Sequence, residues 1–153
     1  MSSQTASPPG EILIRCRAVW KLYGANADAV AAKHGEEITD EVLASSGVIT
    51  AARDVTFDVY RGEIFVIMGL SGSGKSTMLR CMTGLAEATL GTLEVAGTDL
   101  RTATPKQLID IRRHTMGMVF QDFALLPHLT VVDNIAFPLK VQGLSKGECQ
   151  AKA

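Results

Sequence analysis

The segment Gly69-Leu70-Ser71-Gly72-Ser73-Gly74-Lys75-Ser76-Thr77 matches the pattern GxxxxGK[ST], and its flanks constrain the fold more than any other part of the chain. A continuous apolar run, Ile64 to Met68, leads into it, as expected of a strand buried on both faces of a parallel sheet. An amphipathic stretch, Lys75 to Leu85, leaves it, with Met78, Leu79, Met82 and Leu85 on one helical face. Phosphate chemistry needs this context. Glycines let the backbone wrap until its N–H groups point at phosphate oxygens, and a helix N-terminus favours the anion. Lys75 is placed to reach the β- and γ-phosphates, the Ser76 hydroxyl to ligate magnesium, and Thr77 to support the α-phosphate. The chain is therefore expected to bind a nucleoside triphosphate with Mg2+.

The residues around the loop read as alternating short elements. Ile12 to Val19 is rich in branched side chains and predicts a strand that ends near Tyr23-Gly24. Ala25 to Lys33, closed by His34-Gly35, predicts a short helix with a glycine stop, and Thr39-Asp40-Glu41 begins a second one that stops at Gly47. Together they form a helical insertion over 24–50 between two strands. Val55 to Tyr60 alternates as a half-buried strand, and Arg61-Gly62-Glu63 is a turn. Thr92 to Val95 reads as a strand before the Gly97-Thr98-Asp99 turn. Thr104, Pro105 and Gln107 mark the start of a helix that runs to about His114. Met116 to Phe120 is a further apolar strand; beyond Asp122 the pattern is loop and irregular helix, with a helix-prone end from Ser145. Residues 1–11, polar at the start and carrying two prolines, read as a disordered leader.

Composition excludes several classes. A net charge of −1 gives no global field toward nucleic acid. The three cysteines, Cys16, Cys81 and Cys149, are widely spaced, so neither a disulfide framework nor a zinc site is suggested. No apolar stretch is long enough to span a bilayer. Arg112-Arg113-His114 reads as a solvated helix end, because no aromatic platform interleaves it. Trp20 reads as a packing residue, and His34, His114 and His128 as surface or turn residues.

With these residues in place, the sequence resembles the ATP-binding subunits of ABC transporters from about residue 12 onward. Val19-Trp20-Lys21-Leu22-Tyr23-Gly24 resembles that family's A-loop, Val119-Phe120-Gln121 the strand leading into its Q-loop, and Leu126-Pro127-His128-Leu129-Thr130-Val131 with Asn134-Ile135 the stretch that follows. Within the family, Glu63 to Ser71, Phe123 to His128 and the insertion resemble the glycine betaine/proline and choline uptake subunits. The resemblance implies an α/β fold: a P-loop NTPase (RecA-like) core with an N-terminal antiparallel β subdomain, and a helical subdomain beginning over 138–153. It implies that Tyr23 stacks on the adenine of ATP, that Gly69 to Thr77 hold the phosphates, and that Ser76 and Gln121 help bind Mg2+. Lys75 and Gln121 are then the residues nearest the hydrolytic chemistry. It further implies a peripheral place on the cytoplasmic face of the cell membrane. The implied partners are a transmembrane permease subunit, a second ATP-binding subunit in a head-to-tail dimer and, indirectly, a substrate-binding protein.

The sequence also departs from the family. No LSGGQ-like signature, no Walker B strand ending in Asp-Glu and no later switch histidine occurs. Leu144-Ser145-Lys146-Gly147-Glu148 and Leu129-Thr130-Val131-Val132-Asp133 only superficially resemble the first two. The chain therefore reads as the first part of a longer subunit, able to hold ATP without hydrolysing it alone. Its core is incomplete at the C-terminus, so the Ile64 to Met68 and Met116 to Phe120 runs are expected to expose apolar faces and favour aggregation.

Overall fold

The computed structural model describes residues 10–122 and 125–153, so most of the expected leader and the Phe123-Ala124 pair lie outside the described residues. The chain divides into two compact units, one ending at Thr104 and one running from Pro105 to Ala153.

The first unit is built on strand β1, Ile12–Tyr23. Helices α1, Ala27–His34, and α2, Asp40–Ser46, follow it, joined by a short 3-10 turn, Gly35–Glu37. Strand β2, Ile49–Tyr60, then returns antiparallel to β1. Helix α3, Lys75–Met82, comes after the glycine loop, and strands β3, Leu90–Val95, and β4, Thr98–Asp99, complete an antiparallel sheet in the order β2-β1-β3-β4. The expected antiparallel subdomain is therefore present, with two helices between its first two strands. β2 and β3 are longer than their sequence patterns suggest, because pairing with β1 extends them past the predicted residues. Just before β1, Glu11 pairs with Arg61 at 2.7 Å, which ties this residue of the expected leader to the end of β2.

β1 lies between β2 and β3, and its buried side chains are the centre of the unit. Cys16, Val19, Trp20 and Leu22 are all buried. Simple alternation does not give that set. Its source is an irregularity at Ala18, whose φ of 47° is left-handed. The register with β2 shifts on both sides of Val19, so Val19 and Trp20 both turn inward. The displaced Ala18 N–H donates to Thr56 Oγ1 at 2.9 Å, which leaves no orphan donor. On the other side the Ala18 carbonyl presses against Gly91, at φ 83°, where any Cβ would collide with it.

The insertion has its own reason to fold. Thr39 caps α2 by accepting from the Val42 N–H, and Gly47 ends it in a left-handed turn. Ala27, Val30, Ile38 and Val48 pack on Trp20 and Leu22, with Val42 and Leu43 alongside. Full burial of a side chain such as Leu22 is worth about 1.5–3 kcal/mol. Asp40 pairs with Arg53 of β2, and the Arg53 guanidinium lies 5.3 Å from the Trp20 ring centroid.

Two apolar runs differ from expectation. Ile64–Met68 and Met116–Phe120 form no strand, and no parallel sheet occurs among the described residues. A strand exists through its neighbours, and among the described residues neither run joins the sheet. Ile64 is 91% and Met68 85% exposed, so the expected apolar exposure is present. The face of α3 also differs: Met78, Cys81 and Met82 are buried, whereas Leu79 is exposed and Leu85 lies beyond the helix end.

The second unit contains α4, Pro105–His114, α5, Val131–Val141, and α6, Lys146–Lys152. α4 keeps the expected bounds, and His114 closes it, 3.7 Å from Asp110. The two stretches that superficially resembled catalytic motifs are helix starts. Thr130 caps α5 and exchanges hydrogen bonds with Asp133. Ser145 and Glu148 form a reciprocal capping box on α6. Asn134 fastens the preceding loop to α5: its Oδ1 accepts from the Leu126 N–H at 2.8 Å, and its Nδ2 donates to the Leu126, Leu129 and Thr130 carbonyls.

Gly91→Ala should cost at least about 2 kcal/mol, because it adds both backbone strain and a clash with Ala18; urea unfolding measures it. Burial pushes the Cys16 thiol up to about 12 from its ordinary 9.0. Its contribution is then fully present below pH 9 and is lost as pH rises toward 12, at up to about 1.4 kcal/mol per pH unit. Iodoacetamide at pH 9 should leave Cys16 unmodified in the folded chain and alkylate it in urea, as read by peptide mass mapping.

Candidate nucleotide site

The glycine loop begins where the backbone leaves Met68 and ends at the first turn of α3. Gly74 fixes that turn. Its φ is 85°, and a Cβ there would collide with the carbonyl oxygen of Ala51 on β2. Only glycine satisfies both conditions. The Ser73 N–H donates to the Leu70 carbonyl at 3.2 Å, and the Met78 N–H to the Gly74 carbonyl at 2.9 Å, closing the loop onto the helix.

Lys75 folds back over the loop. Its Nζ donates to the Leu70 carbonyl at 2.5 Å and to Ser73 Oγ at 3.3 Å. A cation is thus held at the N-terminus of α3, where helix polarity already favours an anion. Gly69, Gly72, Ser73, Gly74 and Lys75 line a cleft of about 720 Å³ together with β2 from Thr50 to Phe57. That volume lies in the range of small-molecule sites, roughly 300–1,000 Å³. Phe65 and Phe57 also line it, their rings stacked with centroids 4.7 Å apart.

Leu70, Ser71 and Ser76 are exposed, and Thr77 is half-buried. The cradle suits a triphosphate: a glycine that no side chain can replace, a helix N-terminus and a fixed ammonium. Ser76 offers an exposed hydroxyl in the first helical turn, the hard oxygen donor that Mg2+ takes. Tyr23 does not line the cleft. It ends β1 opposite Ile49, one step along the strand from the Leu22–Thr50 pair at the cleft's rim, and is 39% exposed. Gln121 belongs to the second unit and lies exposed in a turn after the Met116–Phe120 run.

Sequence reasoning missed two features. The Ala51 carbonyl that receives Gly74 is invisible in sequence, because it depends on tertiary approach. Lys21, whose Nζ lies 4.8 Å from the Tyr23 ring centroid, was legible in principle, since residues two apart on a strand share a face.

Fold and loop together define an α/β nucleotide-binding protein of the phosphate-loop class. The ABC transporter family profile matches residues 52–153, and the chain belongs to this family. Among curated relatives, the trimethylamine N-oxide transport system ATP-binding protein TmoW of Pelagibacter ubique is 45% identical over 141 residues. That match covers 92% of this chain and 41% of TmoW. The glycine betaine transport ATP-binding protein OpuAA of Bacillus subtilis is 41% identical over 143 residues, which is 93% of this chain and 34% of OpuAA. The chain therefore spans about two fifths or less of these relatives. Among solved structures, the dimeric post-hydrolysis state of the ATP-binding cassette MJ0796, bound to ADP and Pi, superposes with a TM-score of 0.72 at 29% identity. It covers 92% of this chain and 53% of that one. No helix among the described residues is long and apolar enough to cross a membrane.

Gly74→Ala should abolish nucleotide binding while leaving the second unit's helices intact. Isothermal titration with ATP measures the first, and protection of α5 amides from hydrogen exchange the second.

Proposed function

We propose that this chain is the nucleotide-holding part of an ATP-binding subunit that energises uptake of a methylated amine. The observation that carries it is the Gly74–Lys75 cradle at the N-terminus of α3, in a unit that also contains Tyr23. When the triphosphate is bound, its phosphates lie on the loop N–H groups and Lys75 exchanges its carbonyl acceptor for phosphate oxygen. Ser76 would hold Mg2+, which would supply charge neutralisation at the phosphates. Tyr23 would give the adenine a stacking surface; for Gln121, in the second unit, the family resemblance implies a role at the metal and the attacking water.

Hydrolysis in such subunits is in-line attack of water on the γ-phosphate, helped by positioning and charge stabilisation. In this reading the acidic strand and signature act from outside these 153 residues, the signature coming from a second subunit placed head to tail. The chain by itself then binds ATP without turning it over. The permease subunit docks on the cytoplasmic side of the membrane, near the segment after Gln121. The substrate class follows from the relatives: one is named for trimethylamine N-oxide and the other for glycine betaine. Both ligands carry a small methylated nitrogen centre, so the expected betaine- and choline-like class extends to trimethylamine N-oxide. The substrate itself is selected by other subunits.

Lys75→Ala should weaken ATP binding roughly ten- to a hundredfold, the value of a charge-assisted hydrogen bond or two. Titration of the folded variant with Mg-ATP checks this, and unchanged affinity overturns the assignment. A phosphate-release assay on the unmodified chain should read no turnover. Restored growth on trimethylamine N-oxide, betaine or choline, using the whole gene, separates the substrates.

A further inference from the structure

Lys21 has no part in the phosphate cradle, yet its ammonium is spent on an aromatic ring. It lies on β1 opposite Ala52, two residues before Tyr23, so both side chains leave the same face of the sheet. Its Nζ sits 4.8 Å from the Tyr23 ring centroid, within the range of a cation–π contact. The same ammonium opposes the rise of the Cys81 thiol, which burial drives upward, in the last turn of α3.

We propose that Lys21 is a positioning residue for the nucleobase: its ammonium closes one face of the Tyr23 ring and leaves the other as the single stacking surface for a purine. The inference rests on the reading of Tyr23 given above. Two physical effects support it. The cation restricts the orientation of a half-exposed ring. It also draws π-electron density toward the covered face, so the open face repels an electron-rich base less. Stacking on a fixed platform costs less ordering entropy than stacking on a mobile one.

The test is calorimetric titration of the whole 153-residue chain with Mg-ATP and with inorganic tripolyphosphate, which has the phosphates and no base. Lys21→Met keeps the length of the side chain and removes its charge; Lys21→Arg keeps the charge. The expected result for Lys21→Met is ATP binding weakened about two- to fivefold, from a partly exposed cation–π contact, with tripolyphosphate binding unchanged. Lys21→Arg should restore the ATP affinity. In a Tyr23→Ala background, itself weaker for ATP, Lys21→Met should have no further effect. Equal loss for both ligands overturns the proposal, because Lys21 would then act as a general charge near the phosphates. Full ATP affinity in Lys21→Met, with Tyr23→Ala weakened, also overturns it and leaves Tyr23 as the base platform. Full ATP affinity in Tyr23→Ala removes the platform, and the proposal with it.

Discussion

The close approach of Gly74 to the Ala51 carbonyl ties the phosphate loop to the antiparallel sheet. A helix start packed this tightly on a strand cannot slide or rotate, so the loop N–H groups and Lys75 inherit the position of β2. β2 is in turn fixed by β1, and β1 by the Ala18 irregularity that needs Gly91 opposite it. Two glycines in left-handed backbone, one on each side of the sheet's central strand, thus set the geometry of the cradle. Hydrophobic burial supplies the energy through Trp20, Leu22, Leu93 and Met78, but burial is not directional. The glycine contacts give it a unique arrangement.

Local chemistry was legible in the sequence. The loop and the start of α3 at Lys75, the Thr39 cap, the Gly47 stop and the bounds of α4 all depend on residues within one turn of one another. Pairing was not legible. Ile64 to Met68 announces a preference for burial, and no residue in it states which neighbour will provide one. The face of α3 was displaced for a related reason. Leu79 and Leu85 fit the apolar pattern as well as Met78 and Met82, but Cys81 is the side chain that meets the sheet. Of the site, the glycine loop and its turn into α3 were legible, the approach of the Ala51 carbonyl was not, and the base half rests on a resemblance. The Lys21 contact follows from the strand spacing, since residues two apart share a face.

The two acidic stretches that resemble catalytic motifs show how one residue pattern serves two ends. A Thr or Ser three residues before an acid satisfies the free N–H groups of a helix start. Thr130 with Asp133, and Ser145 with Glu148, do this. Their carboxylates are occupied by their own caps, which leaves them poorly placed to hold a metal or polarise water.

Trp20 is the one tryptophan of the chain, 3% exposed, wedged between the insertion and the sheet with the Arg53 guanidinium against it. Intrinsic fluorescence excited at the red edge therefore comes from a single seam. Separation of the helical insertion from β1 would wet the indole and shift its emission to longer wavelength, whatever happens at the glycine loop. Residues from Pro105 onward carry no such chromophore, so their melting would pass unseen in that channel. The chain has a built-in reporter of whether its insertion is docked, and the two compact units can be followed separately by pairing emission with far-ultraviolet ellipticity.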